Sequence, residues 1–147
     1  SIKTKAECYA AIGYSSFMRE EYPKAIENYL EAIGRFQQLN DTIRVAQMWM
    51  NTATSYKIIG NFDKAVKNAF FSLKILSKDS IYRKQVAIIY NLLGNIEKEL
   101  GSYNTAKEYL LKSLEIGKLI PKYSSVAVIN NIRNIFYEQG NYDSALI

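Results

Sequence analysis

The chain has 147 residues, 48% hydrophobic and 22% charged, with 19 Lys and Arg against 14 Asp and Glu for a formal charge of +5. This is the composition of one ordinary globular domain, neither disordered nor collagen-like, and no apolar run reaches the roughly 18 residues of a membrane span. With no His, Ser-His-Asp and Cys-His catalysis and imidazole zinc sites are excluded, and the single Cys can form no internal disulfide.

Residues Ser1 to Lys5 are not followed by the apolar stretch of a signal peptide. A first helix is predicted to break at Glu20-Glu21, and a second to begin just after, with Pro23 in its first turn where a missing N–H costs nothing. Residues 43–59 place Val45, Met48, Trp49, Thr52, Ala53 and Tyr56 at helical intervals, and Gly60-Asn61 supplies the stop. Helical spacing resumes from Phe62 to Leu76 through Ala65, Ala69, Ser72 and Leu73. The third pair reads likewise, with its break at Gly101-Ser102, and Pro121 lies in a linker that no helix can cross. Seven helices and the opening of an eighth are expected, with no alternating β-strand pattern.

The chain repeats itself. Four segments share an aromatic–x–x–Ala core: Tyr22 to Ala25, Phe62 to Ala65, Tyr103 to Ala106 and Tyr142 to Ala145, their alanines 40, 41 and 39 residues apart. Gly60, Gly101 and Gly140 stand two positions before the aromatic, with Glu20 in the first copy. Sixteen residues before each alanine is Tyr9, Trp49, Tyr90 or Ile129, and four residues later Gly13, Ala53, Gly94 or Arg133. Ala32, Ser72 and Ser113 follow the first three alanines by seven. The small residues are expected to let paired helices approach, Gly13, Ala53 and Gly94 facing Ala25, Ala65 and Ala106; Arg133 does not fit that role.

This spacing resembles the tetratricopeptide repeat, over three repeats and the first half of a fourth. The period of about 40 is longer than the family's ~34, as in bacterial sensor and regulatory members, and the additional residues are expected at 38–42, 77–83 and 119–125. The resemblance implies an all-α, right-handed superhelical array of antiparallel helix pairs, an α-solenoid of about 3.5 repeats. We expect a single domain over 1–147, with repeats at 6–41, 42–80, 81–121 and an incomplete 122–147. Starting without Met and stopping within a recurring pattern, it is read as a segment of a longer protein, its compartment left open.

The resemblance also implies that first helices line a concave groove. Its candidate peptide-binding residues are Tyr14 and Phe17, then Asn51, Thr54 and Lys57, then Asn91, Asn95 and Lys98, and finally Asn130, Asn134 and Tyr137. Asn at i and i+4 puts two amides on one helix face, each able to clamp the N–H and C=O of an extended peptide. The competing expectation is that these amides bond neighbouring helices or merely face water. The family's carboxylate clamp for peptide termini is not expected, because only Asn51 matches among Ala10, Tyr14, Asn51, Ile88 and Leu92.

Residues 42–80 hold a net +4, largely from Lys64, Lys67, Lys74 and Lys78 on one face of a second helix. Without stacking aromatics spread among these lysines, or an RNA-binding motif, that face reads as solvated and no nucleic-acid partner is expected. No phosphate loop, dinucleotide fingerprint or metal cluster occurs, so neither cofactor nor enzymatic activity is expected. The sequence therefore points to a scaffold for a peptide or protein partner, or for other domains of its parent. Self-association through Ile129, Ile132, Ile135 and Phe136 of the incomplete repeat is the alternative.

Overall fold

The structure is a computed structural model that describes residues 1–146, apart from the side chains of Tyr142 and Asp143. Its helices run in chain order as α1 (Ile2–Met18), α2 (Tyr22–Gln38), α3 (Thr42–Ile58), α4 (Phe62–Leu76), α5 (Arg83–Glu99), α6 (Tyr103–Lys118), α7 (Val126–Glu138) and a short α8 (Tyr142–Ala145). A single 3₁₀ turn, Ser80–Tyr82, precedes α5. No strand occurs among the described residues. The chain forms two compact units, Ser1–Lys78 and a second that begins at Asp79.

The expected insertion at 38–42 is not a loop. Gln38 ends α2 and Thr42 begins α3, leaving only Leu39 to Asp41 between them. The first three helices are each 17 residues long, so here the long period is carried by extra helical length. Asn40 makes the tight passage at φ 55°, and the Asp41 carboxylate caps α3 by accepting from the Arg44 N–H. The other two expected insertions do lie between helices.

One stop signal ends every first helix. Glu20, Gly60, Gly101 and Gly140 all have positive φ, between 63° and 78°. The next residue's N–H then reaches back to a carbonyl five residues earlier: Glu21 to Ser16, Asn61 to Tyr56, Ser102 to Glu97 and Asn141 to Phe136, at 2.8–2.9 Å. This is the Schellman closure, in which a left-handed residue lets the chain satisfy otherwise orphaned carbonyls.

In the N-terminal unit, Ala6, Ala25, Tyr29, Ile33, Phe36 and Val45 are the heart of the core, with Tyr9, Phe17 and Trp49 packed against it. In the C-terminal unit Ala106, Leu110, Val128 and Ile135 pack together beneath Tyr103, Leu114 and Ile132. The small first-helix positions do permit close approach, but their partners differ from the sequence expectation. A Cβ on Gly13 would stand 2.7 Å from the Tyr29 ring, and one on Gly94 would stand 2.6 Å from Leu110 Cγ, with the Ala106 carbonyl at 3.2 Å. The facing residue is thus mainly the one four past the recurring alanine, a full turn on. At the matching place in the second repeat, Ala53 has Ala69 as its counterpart, both fully buried.

Ser72 and Ser113, read from sequence only as small, also make the bonds that join helices. Each hydroxyl, fully buried, donates at 2.7 Å to a carbonyl of the preceding helix, Ser72 to Ala46 and Ser113 to Ala87. The linker after α6 is held differently. The Tyr123 ring lies over Gly117, where a Cβ would come within 2.7 Å of it.

Candidate functional site

The first helices carry the candidate residues, so each unit offers its own face. In the N-terminal unit Tyr14 stands out from α1, 60% exposed. Phe17 does not form part of an open pocket: it packs against the core and meets Tyr22 edge-on at 5.4 Å. On α3, Asn51 and Lys57 are half-buried, and the Thr54 hydroxyl donates back to the Met50 carbonyl at 3.0 Å. That bond is local to the helix and leaves the hydroxyl oxygen as an acceptor.

In the C-terminal unit the amides divide into two kinds. Asn91 Oδ1 accepts from Asn131 Nδ2 at 3.0 Å, tying α5 to α7. This is the interhelical role weighed as the competing expectation, and it falls on the residue one place beyond Asn130. Asn95, a turn after Asn91, is half-buried, while Asn134 is exposed on α7. Asn130 Oδ1 accepts from Arg133 Nη1 at 3.4 Å. Lys98 is half-buried with its ammonium 4.0 Å from the Glu99 carboxylate, and Tyr137 is 65% exposed. Asn134 and Tyr137 share a cleft of about 270 Å³ with Arg133, Ala145 and Leu146.

Three tyrosines, Tyr29, Tyr103 and Tyr109, hold their hydroxyl protons more tightly than usual. Burial, with a smaller contribution from Tyr14, pushes the Tyr29 hydroxyl up to about 12. A hydrogen bond to Glu138 raises Tyr103, and burial followed by the Glu97 charge raises Tyr109, which stacks on Tyr90 at 6.1 Å. Of the lysine stripe, Lys64 lies over the Tyr56 ring at 5.4 Å and Lys67 over Phe71 at 5.8 Å, while Lys78 falls beyond the end of α4.

A second feature of the C-terminal unit was only half visible in sequence. Leu111 and Leu114 of α6 and Ile129, Ile132 and Phe136 of α7 line an apolar groove of about 410 Å³. Ile135, grouped with that face by sequence, is instead fully buried in the core. The contribution of α6 could not be read from a pattern confined to α7. The scaffold position assigned to the Tyr142 side chain lies outside the described residues.

Repeated helix pairs, a recurrent Schellman stop and interhelical serine bonds at a 41-residue interval define one repeating unit. Residues 87–116, within α5 and α6, match the family model described as Tetratricopeptide repeat. The fold is a tetratricopeptide-repeat array. Among solved structures, BtubC from P. vanneervenii superposes with a TM-score of 0.87 at 17% identity, over 99% of this chain and 61% of that one. The apo form of RapI gives a TM-score of 0.87 at 20% identity, over 97% of this chain and 52% of the other. The Rap conjugation gene regulator of plasmid pLS20, in complex with the Phr* peptide, gives 0.83 at 16% identity, over 94% of this chain and 39% of its own. The chain thus spans between about two fifths and three fifths of these three tetratricopeptide-like proteins. At such identities the likeness is one of fold. No curated protein sequence matches the chain. No described helix is long and apolar enough to cross a membrane.

Proposed function

We propose that the chain is a protein-interaction scaffold that binds an extended peptide segment through the amide-bearing face of α5 and α7. The observation that carries this reading is the division of labour among the asparagines. The Asn91–Asn131 bond ties the two helices, and Asn95, half-buried one turn past Asn91 on α5, and Asn134, exposed three residues past Asn131 on α7, follow it in helical register. An amide presents donors and an acceptor together, which matches a peptide backbone rather than a charged or apolar ligand. Lys98 and Tyr137 then supply a cation and an exposed ring beside it. The structural likeness to a Rap regulator in complex with a peptide supports the same reading, as does a fold built for contact rather than chemistry. Its place is as a sensing or docking segment of a larger bacterial signalling or regulatory protein, acting by binding without turnover.

A library of unstructured octapeptides displayed on an array, probed with the labelled chain, tests the proposal. Peptides selected this way should lose at least tenfold in affinity for the Asn95→Ala/Asn134→Ala variant, whose melting temperature should stay within about 2 °C of the parent. Asn91→Ala should behave in the opposite sense, lowering the melting temperature by breaking the α5–α7 bond. Peptides whose binding ignores both asparagines would refute the assignment.

A further inference from the structure

The outer side of α4 carries more than charge. Opposite the buried Ala65, Ala69 and Leu76, the residues Lys67, Phe70, Phe71 and Lys74 form one exposed face, with Lys64 at its edge and Lys78 just past the helix end. Contrary to the expected absence of aromatics among these lysines, Phe70 and Phe71 interrupt the stripe, 41% and 40% exposed. Asp63, the one carboxylate of α4, lies in its first turn. Among the described residues no carboxylate forms an ion pair with Lys64, Lys67, Lys74 or Lys78. Lys67 and Lys74 are seven residues apart, about 10 Å along the helix, so the two charges bracket the apolar rings. Exposed ring surface framed by cations of one sign marks a contact surface, and a ligand that is only acidic or only apolar would satisfy half of it.

We propose that the outer face of α4 docks an acidic segment of a partner protein, in which carboxylates flank a pair of aliphatic side chains. The aliphatic pair covers the exposed parts of Phe70 and Phe71. The carboxylates meet Lys67 and Lys74, and Lys64 and Lys78 prolong the line of positive charge. Two observations favour this partner over other polyanions. The basic line is confined to one helix: α2, the other second helix of the same unit, exposes Glu27 and Glu31, and residues 1–41 hold five Lys and Arg against six Asp and Glu. An anionic membrane calls for a broader cationic surface than one such line. The Phe71 ring is already engaged by Trp49, 5.1 Å between ring centres, and by the Lys67 ammonium at 5.8 Å, so it offers no open platform for a stacked base. The site belongs to the N-terminal unit and shares no residue with the amide face of α5 and α7.

The test titrates the whole chain into a labelled, end-capped peptide, Asp-Glu-Glu-Leu-Leu-Glu-Glu-Asp, followed by fluorescence anisotropy. Saturable binding is expected, and it should weaken as salt is raised from about 50 to about 300 mM. Lys67→Glu/Lys74→Glu should cost about tenfold in affinity and Lys67→Gln/Lys74→Gln about threefold, so either variant suffices if the other fails to fold. Replacing the two leucines of the peptide by serine should also cost about tenfold. Lys3→Glu/Lys5→Glu, the same change of net charge on α1, should bind as the parent does, and so should Asn95→Ala/Asn134→Ala. Absence of binding, indifference to the α4 or the leucine substitutions, or an equal loss in the α1 variant would each overturn the proposal. So would tighter binding to a thymidine dodecamer, or to vesicles containing phosphatidylserine, than to the peptide.

Discussion

Glu20 stands where the other three repeats place glycine, and it adopts φ 63° to do the same work. A side chain in that left-handed region crowds its own carbonyl, at a cost of about 1 kcal/mol, partly offset because glycine would loosen the unfolded chain. Glu20→Gly is therefore expected to raise the melting temperature by about 1–3 °C in calorimetry, without altering the helix ends. Tyr29 gives a residue-level test of pH. Its hydroxyl ionises near its ordinary value of 10 once unfolded but only at about 12 when buried. Between those values the unfolded state loses the proton first, so the contribution present below pH 10 disappears as pH rises toward 12. Urea midpoints measured from pH 8 to 12 should fall over that interval, and less steeply in Tyr29→Phe. Recurring residues such as the glycine stops were legible because the same backbone demand returns every 40 residues or so. The role of Asn91 was not: its partner Asn131 lies 40 residues on, whereas the alignment pairs it with Asn130, and only the packing of α7 on α5 settles which amide is reached.

Between elements, facing volumes are conserved as pairs rather than as single residues. Gly13 faces Tyr29 and Gly94 faces Leu110, while the second repeat carries Ala53 and Ala69 at the matching places. Gly94→Ala alone should destabilise, because its Cβ would fall 2.6 Å from Leu110. Leu110→Ala alone should lose about 2–5 kcal/mol through the cavity it leaves. Combined, they recreate the Ala–Ala pair, and denaturant unfolding should show the double variant at least about 1 kcal/mol more stable than the sum of the single losses. Simple additivity would mean that the two sites do not share a packing problem. Helix existence and pairing were readable from the 3.6-residue pattern and the repeat. Helix length was not, since nothing between Gln38 and Thr42 distinguishes a loop from one more turn capped by Asp41. The buried serines likewise read as mere small residues, because Ala32 fills the same recurring position and the period alone signals size rather than a hydroxyl bond.

At the scale of the molecule, each compact unit holds its own buried cluster, so damage should stay local. In Leu110→Ala, amide hydrogen exchange should accelerate across α5 to α7 while α1 to α4 keep their protection. Uniform acceleration along the whole chain would instead mean a single cooperative fold. The same partition bears on binding, for every residue of the proposed amide face, and every described residue lining the apolar groove between α6 and α7, belongs to the C-terminal unit. A partner engaging either surface would stabilise that unit in particular. The Tyr123 ring seated over Gly117 then acquires a further meaning. By clasping the connection between α6 and α7 before any ligand arrives, it spares an incoming partner the entropy of arresting that joint, and the walls of the groove are set in advance.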